Sequence, residues 1–229
     1  MPKFFEPFHR EYPVVAHEGI TINALYTNMF ASADAWVDKA VGILAESKLK
    51  FVGVDVEFTP KGYDQKAAVL QLCVGQDCLV YHIVCVADEI SFKFRSFLRT
   101  RRYKFVGFDI TRDTTMIQRS GIPIFNHFDI QKIWKDPDLI KYRSDGSVGK
   151  HGMKDLAGLL IDPLYYEMKG GMTNEDHQLW HIAPLSEKHL HYAAKDAYVT
   201  YELYKKLDFY ERGRYKLMKR TQKERLRMW

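Results

Sequence analysis

The order of apolar and polar positions along the chain alternates between strand-like and helix-like patterns. Short runs rich in Val, Ile and aromatic residues indicate strands at 49–58, 66–74, 78–84 and 103–110, after a hairpin within 12–27. Because the early strands are joined by tight turns, we expect a mixed sheet rather than a purely parallel one. The pattern therefore predicts an α/β fold with a central mixed β-sheet.

Apolar residues that recur every three or four positions predict helices between and after these strands. Helical segments are expected at 32–47, 90–102, 111–120, 151–161 and 186–207. Ser32 stands where the first of them should be capped. The stretch 163–183 shows little periodicity and is predicted to be rich in loops.

The composition is that of an ordinary globular protein, since 46% of the 229 residues are hydrophobic and 28% are charged. The length fits a single domain, 1–229, and no apolar run approaches the roughly 20 residues of a membrane helix. The N-terminus lacks the pattern of a signal peptide, so the expected location is the nucleus or the cytoplasm. For the same reason we expect reduced thiols at Cys73, Cys78 and Cys85, with no zinc site.

Positive charge is concentrated near the end of the chain. The net charge is +5, and residues 212–229 alone contribute +7, so the preceding part sums to −2. The segment from about 208 to 229 is therefore predicted to be a basic helix or tail. It fits a polyanionic partner such as nucleic acid, and it equally fits a solvated helix.

Two carboxylates lie close together on an otherwise apolar predicted strand, in the stretch "KFVGVDVEFTP". Asp55 and Glu57 are two positions apart and therefore share one face, opposite Val52, Val54, Val56 and Phe58. Two adjacent carboxylates repel each other and lose hydration there, so they need cations or solvent beside them. Mg²⁺ or Mn²⁺ prefers such hard oxygen ligands.

Further acidic candidates follow later in the chain. Asp113 falls in the first turn of a predicted helix, while Asp109 precedes that helix, and either could simply cap it. Tyr192 and Asp196 are four residues apart on the last predicted helix and therefore share a face. Small neighbours there, Ala193 and Ala197 among them, would let this helix lie close to the sheet.

Three of these stretches occur in an order that resembles the DEDDy branch of the 3′–5′ exonucleases, which have an RNase H-like (DnaQ-type) fold. The stretches are "VGVDVEFTP", "KFVGFDITRD" and "YAAKDAY". The chain is most similar to the Werner-syndrome-like exonuclease domains of the small single-domain plant type. The residues Trp180, Pro184, Leu185 and Ser186 extend the resemblance, which places an exonuclease domain at about 12–207.

The resemblance implies a role for each candidate residue. Asp55 would bridge two metal ions and Glu57 would bind the first of them. Asp113, rather than Asp109, matches the second motif, and Asp196 matches the last ligand. Tyr192 would orient the attacking water. Two Mg²⁺ or Mn²⁺ ions about 4 Å apart would then clamp the scissile phosphate of a single-stranded 3′ end or a recessed duplex end.

Substrate contacts are expected beside the acidic pair. Val56 and Phe58 are the candidates, and Phe58 either stacks on a terminal base or packs in the core. Six basic residues between Lys93 and Lys104 either follow phosphates or form a solvated face. A preference for RNA or DNA stays open, and homo-oligomerisation is possible.

Two other functions are alternatives to the exonuclease interpretation. One is a catalytically silent scaffold that binds nucleic acid and keeps the fold. The other is an RNase H-like endonuclease, which the Tyr-x-x-x-Asp pattern of Tyr192 and Asp196 argues against.

Overall fold

A mixed seven-stranded β-sheet lies at the centre of the protein, as the alternating pattern predicts. The computed structural model describes the backbone of residues 5–62, 65–86, 90–133, 141–142, 148–149 and 152–225. Its main strands are β1 (His9–His17), β2 (Ile20–Thr27), β3 (Phe51–Phe58), β4 (Ala67–Val74), β5 (Asp77–Tyr81), β6 (Lys104–Gly107) and β7 (His127–Asp129). Their order in the sheet is β1-β2-β5-β4-β3-β6-β7.

The sheet is antiparallel where strands that follow each other directly in the chain pair, and parallel where at least one helix lies between the paired strands in the chain. The β1–β2, β4–β5 and β3–β4 pairs are antiparallel, whereas β2–β5, β3–β6 and β6–β7 are parallel. Two short strands, β8 (Lys141–Tyr142) and β9 (Val148–Gly149), pair separately. The carboxyl ends of β3, β6 and β7 therefore lie at the same edge of the sheet, where loops and helix starts meet.

Helices cover both faces of the sheet. The helices α1 (Phe30–Glu46), α2 (Phe92–Arg99) and α3 (Ile110–Arg119) pack on one face, and α4 (Met153–Leu160) and α5 (Glu187–Arg225) pack on the other. Short 3₁₀ helices lie at Ile83–Cys85, Ile130–Ile133, Pro163–Glu167 and Asp176–Gln178. Among the helices described, none combines the length and apolarity that crossing a membrane requires.

The ends of α1 to α4 differ from the predicted bounds by one to three residues, and α5 continues into the segment predicted as a basic helix or tail. The helix α1 begins at Phe30, two residues early, so Ser32 is not its cap; the Ser32 hydroxyl lies 2.8 Å from His9 Nδ1 instead. The helix α5 continues to Arg225, well beyond Leu207. Its extension contains no proline and is rich in Lys and Arg, which are good helix formers, and this explains why the helix does not stop.

The prediction of three reduced thiols is wrong for Cys73 and Cys78. These residues lie directly opposite each other on β4 and β5, with Cα atoms 4.2 Å apart, and the structure joins them in a disulfide. Cysteine count and expected compartment gave no hint of this pairing because it depends on cross-strand register. Cys85 lies buried outside this pair.

Candidate active site

The strand β3 presents its apolar and acidic residues to opposite faces. Val52, Val54 and Val56 are buried against α1, α2 and α3, and the alternation directs Asp55 and Glu57 towards α5. This confirms the face assignment made from the sequence, and it leaves two half-buried carboxylates facing the last helix.

A glycine allows α5 to lie directly on β3. A Cβ atom at Gly53 would stand 2.5 Å from the Ala197 carbonyl oxygen and 2.9 Å from the Tyr201 backbone nitrogen. The side chains of Ala193 and Ala197 are fully buried at this contact. Because Gly53 shares a face with Asp55, and Ala197 follows Asp196, the close packing brings these two carboxylates together.

Three carboxylates meet at this point. Asp55, Glu57 and Asp196 each offer an oxygen, and the three oxygens lie within 4.8 Å of one another. Asp196 is only 2% exposed, and its Oδ1 atom has no hydrogen-bond partner among the described residues. A buried carboxylate oxygen without a donor is costly in a protein that binds nothing there, so the cluster has the character of a cation site.

Asp113 lies beside this cluster, whereas Asp109 does not. Asp113 is buried in the first turn of α3, and burial, followed by the negative charges of Asp55 and Asp109, raises its pKa to about 9. Asp109 is exposed, adopts a left-handed backbone with φ of 60°, and makes no capping hydrogen bond through its side chain. Its backbone N–H donates to Asp129 Oδ1 at 3.2 Å.

The cluster carries more negative charge than the protein itself compensates. Desolvation raises the pKa of Asp55, and it raises the pKa of Glu57 further because Asp55 and Asp196 add repulsion. Burial raises the pKa of Asp196 to about 7, although Lys169 opposes this shift. Hard anionic oxygens held together against their repulsion are the ligands that Mg²⁺ and Mn²⁺ prefer, so these residues fit a divalent metal.

Lys169 is a neighbour of the cluster that the sequence did not reveal. Its Nζ atom lies 3.7 Å from Asp196 Oδ2, while its side chain stays 44% exposed. Burial acts to lower the pKa of Lys169, but the charges of Asp196, Asp55 and Glu57 outweigh that effect and raise it. Lys169 comes from an aperiodic loop just before Gly170, so no pattern placed it here.

Tyr192 stands one helical turn before Asp196, so its hydroxyl lies within the field of the Asp196 carboxylate. Burial and the nearby charges of Asp196 and Glu57 raise the pKa of the Tyr192 hydroxyl, so it stays protonated at neutral pH. The His177 ring packs edge-on against the Tyr192 ring at 5.3 Å. Tyr192 is therefore held beside the cluster as a hydrogen-bond donor.

The two predicted substrate contacts differ in position. Phe58 is half-buried, lies under the Arg112 guanidinium at 5.2 Å, and lines a pocket of about 150 Å³ together with Glu57, His177 and Trp180. The Val56 side chain is 4% exposed and packs in the core on the opposite face. Of the two side chains, that of Phe58 alone faces the pocket.

A buried hydrogen-bond chain fixes the segment before α5. His82 Nε2 lies 3.0 Å from the Trp180 carbonyl oxygen, so it carries the proton, and Nδ1 accepts from the Tyr26 hydroxyl at 2.9 Å. The Tyr26 oxygen in turn accepts from the Leu185 backbone N–H at 2.9 Å. Burial lowers the pKa of His82 to about 4, which keeps the ring neutral as this arrangement requires.

Comparison with known proteins shows the same type of fold and a shared family. A family model described as 3′–5′ exonuclease matches residues 34–209, which include all five predicted catalytic residues. A curated 3′–5′ exonuclease of Arabidopsis thaliana is 27% identical over 222 residues, and the alignment covers 86% of this chain and 67% of the relative.

Two solved nuclease structures illustrate the likeness of fold. Trypanosoma brucei RNase D in complex with RNA U12 has a TM-score of 0.59 and 20% identity, over 80% of this chain and 62% of that one. This chain thus spans less than two thirds of the RNase D chain. Brucella melitensis NrnC with bound Mg²⁺ has a TM-score of 0.55 and 20% identity, over 76% of this chain and 80% of that one. The predicted RNase H-like exonuclease fold is confirmed.

Proposed function

Because this chain belongs to the 3′–5′ exonuclease family and is therefore a phosphodiester hydrolase, we propose that it releases nucleoside monophosphates from single-stranded or recessed 3′ ends of nucleic acid, with two divalent metal ions. We place it in the DEDDy branch, near the Werner-like plant enzymes. The spacing of Tyr192 and Asp196 and the likeness to a plant relative support this placement.

The observation that carries the proposal is the packing of three carboxylates, with a fourth beside them, at the end of a buried strand. Asp55, Glu57 and Asp196 converge within 4.8 Å, and Asp113 adds its charge from α3. Asp196 Oδ1 lacks a donor among the described residues. A divalent cation would offset this repulsion and use the free oxygen.

Each of the four carboxylates would have a separate role in binding the metal ions. Asp55 lies centrally and would bind both metal ions, Glu57 and Asp196 would complete one site, and Asp113 would belong to the other. When bound, the ions supply charge that attracts the phosphate and lower the pKa of a coordinated water. The structure of Brucella melitensis NrnC contains Mg²⁺, which supports a divalent ion of this kind.

Tyr192 would hold the attacking water in line. A hydroxyl that stays protonated at neutral pH cannot act as a base, but it can donate a hydrogen bond to the water and fix its orientation. The negative charge of Asp196, one helical turn away, favours the protonated form of this hydroxyl, whose single proton is then available to the water. We therefore assign Tyr192 a role in positioning.

The pocket next to the cluster fits the terminal nucleotide. Its apolar wall is the Phe58 ring, on which a base can stack, and Arg112 places a guanidinium within reach of a phosphate. Trypanosoma brucei RNase D was crystallised with RNA U12, which supports a single-stranded substrate here. RNA and DNA are both included in the proposal.

A gel assay tests the proposed function. Single-stranded RNA, single-stranded DNA and a recessed duplex, each labelled at the 5′ end, are incubated with the protein in Mg²⁺, in Mn²⁺ and in EDTA. We expect a ladder shortened from the 3′ end that EDTA abolishes and that Asp55→Asn/Glu57→Gln loses. The control Glu18→Gln/Glu46→Gln removes two exposed carboxylates and should keep full activity.

The alternatives give different results in the same assay. Binding without any product on the three substrates would favour the silent scaffold. Cleavage of a circular single strand would show an endonuclease.

A further inference from the structure

Basic residues are concentrated around α2, on the opposite side of the sheet from α5. Residues 91–108 contain six basic side chains and no acidic one. Three of the six are already engaged: Lys93 pairs with Asp38 at 2.8 Å, Arg95 Nε donates to the Ile90 carbonyl, and Lys104 donates to the Tyr204 hydroxyl at 2.8 Å.

The other three, Arg99, Arg101 and Arg102, are exposed and have no carboxylate partner among the described residues. Phe125, which is 50% exposed, lies under the Arg99 guanidinium at 5.0 Å. We call these four residues the basic platform. Arg102 lies over the Tyr103 ring at 5.6 Å, and the Arg101 backbone is hydrogen-bonded to Asn126, the neighbour of Phe125. An exposed aromatic ring near guanidinium groups that no described carboxylate neutralises is an arrangement that suits unstacked bases and phosphates.

The backbone beneath the platform is fixed by hydrogen bonds. Asn126 Nδ2 donates to the carbonyl oxygens of Arg101 at 3.2 Å and Tyr103 at 2.7 Å. The Phe125 N–H donates to the Leu98 carbonyl at 3.2 Å, which ties the end of α2 to the segment before β7. A ligand would therefore meet a surface whose backbone needs no ordering on binding.

The platform is connected to the active site by one short strand. The strand β7, the last in the sheet, runs from His127 to Asp129, so Phe125 precedes it and Asp129 ends it near Asp113. Four residues of extended chain from Phe125 to Asp129 span roughly 13 Å. If the 3′ end of a single strand lies at the carboxylates, the platform can be reached only by nucleotides several positions upstream, on the 5′ side of that end.

We propose that the basic platform binds the single-stranded part of the substrate upstream of the 3′ end, so that long strands bind more tightly than short ones. This inference rests on the proposed function. Single-stranded nucleic acid fits better than an acidic protein because the exposed Phe125 ring and the Arg99 guanidinium beside it can both stack on bases.

Substrates of different length distinguish binding at the platform from binding at the active site. The variant Arg99→Gln/Arg101→Gln/Arg102→Gln should bind a 5′-fluorescein-labelled 20-nucleotide RNA or DNA about 10- to 100-fold more weakly in fluorescence anisotropy at about 0.1 M salt. The slope of log K against log salt should fall by about 2, because three phosphate contacts at about 0.7 each are lost. Its kcat/KM on a trinucleotide should equal that of the wild type.

A matched control removes the same charge elsewhere. Lys39→Gln/Lys93→Gln/Lys205→Gln deletes three lysines, each already paired with a carboxylate. It should bind the 20-nucleotide strand as the wild type does, apart from the small effect of net charge.

Two outcomes would overturn the inference. One is an unchanged salt slope and affinity in the arginine variant, which would leave the surface for an acidic protein or for no partner. The other is an equal loss on the trinucleotide and the long strand. Failure of the proposed function is distinguishable, because the wild type would then bind the long strand without shortening it.

Discussion

A methyl group added at Gly53 should disrupt the active site by forcing β3 and α5 apart. The Cβ of Gly53→Ala would lie 2.5 Å from the Ala197 carbonyl oxygen and 2.9 Å from the Tyr201 backbone nitrogen. Neither atom belongs to a flexible side chain, so relief requires that α5 and β3 separate. An ordinary contact of about 3.4 Å or more needs a shift of about 0.9 Å at the closest atom.

Two consequences follow from that shift. Overpacking of this kind costs about 1–3 kcal/mol in the free energy of unfolding. Asp196 precedes Ala197 and would move with α5 away from Asp55, and a displacement of about 1 Å in a catalytic site lowers the rate about 100-fold. We therefore expect a folded but weakened protein that has lost most of its exonuclease activity.

Urea denaturation and the 3′-shortening assay measure the two effects separately. Gly42→Ala is the matched control, because nothing lies within 4 Å of its Cβ position and alanine is favoured over glycine within a helix by about 0.5–1 kcal/mol. The reasoning is refuted if Gly53→Ala matches the wild type in both stability and activity. A loss of stability with full activity would mean that the contact between β3 and α5 does not position the carboxylates.

Three further predictions concern individual side chains. Asp113→Asn should lower kcat/KM about 100-fold or more under the proposed metal-binding role, because loss of a residue that only supports a metal ligand already costs about 10- to 100-fold. Asp109→Asn should stay within about twofold because Asp109 is exposed; equal losses would contradict the assignment. Lys169→Met should lower the unfolding temperature more in EDTA than in Mn²⁺. Without a metal ion, the positive charge of Lys169 offsets the repulsion among the carboxylates, whereas a bound ion would take over that role; equal shifts would contradict this. His82 has a folded pKa of about 4, below its unfolded value of 6.5. As pH falls from about 6.5 to 4, urea denaturation should therefore show the wild type losing about 3 kcal/mol more than His82→Gln; equal losses would show that His82 does not titrate in this way.

Local periodicity was sufficient for the parts of the site that lie on regular elements. The alternation in β3 puts Asp55 and Glu57 on one face, and helical spacing puts Tyr192 beside Asp196, whatever the rest of the fold does. The ends of the helices were less predictable, because the start of α1 and the length of α5 depend on contacts and on the absence of a stop signal.

Features that depend on tertiary contact could not be found in this way. Lys169 reaches the cluster from a loop without periodicity, so the sequence gives no sign of its position. The disulfide between Cys73 and Cys78 follows from cross-strand register, which the expected compartment does not determine. The basic platform could not be identified from the sequence either. Only the structure shows that Lys93, Arg95 and Lys104 have partners, whereas Arg99, Arg101 and Arg102 have no carboxylate partner among the described residues.

The claim that the carboxylate cluster is a divalent metal centre is tested most directly by titration with Mn²⁺, followed through the EPR signal of the free ion. We predict that the wild type removes Mn²⁺ from solution, that Asp55→Asn/Asp196→Asn binds far less, and that Glu18→Gln/Glu46→Gln binds as the wild type does. Equal Mn²⁺ binding by all three proteins would contradict the account, because the ions would then lie elsewhere.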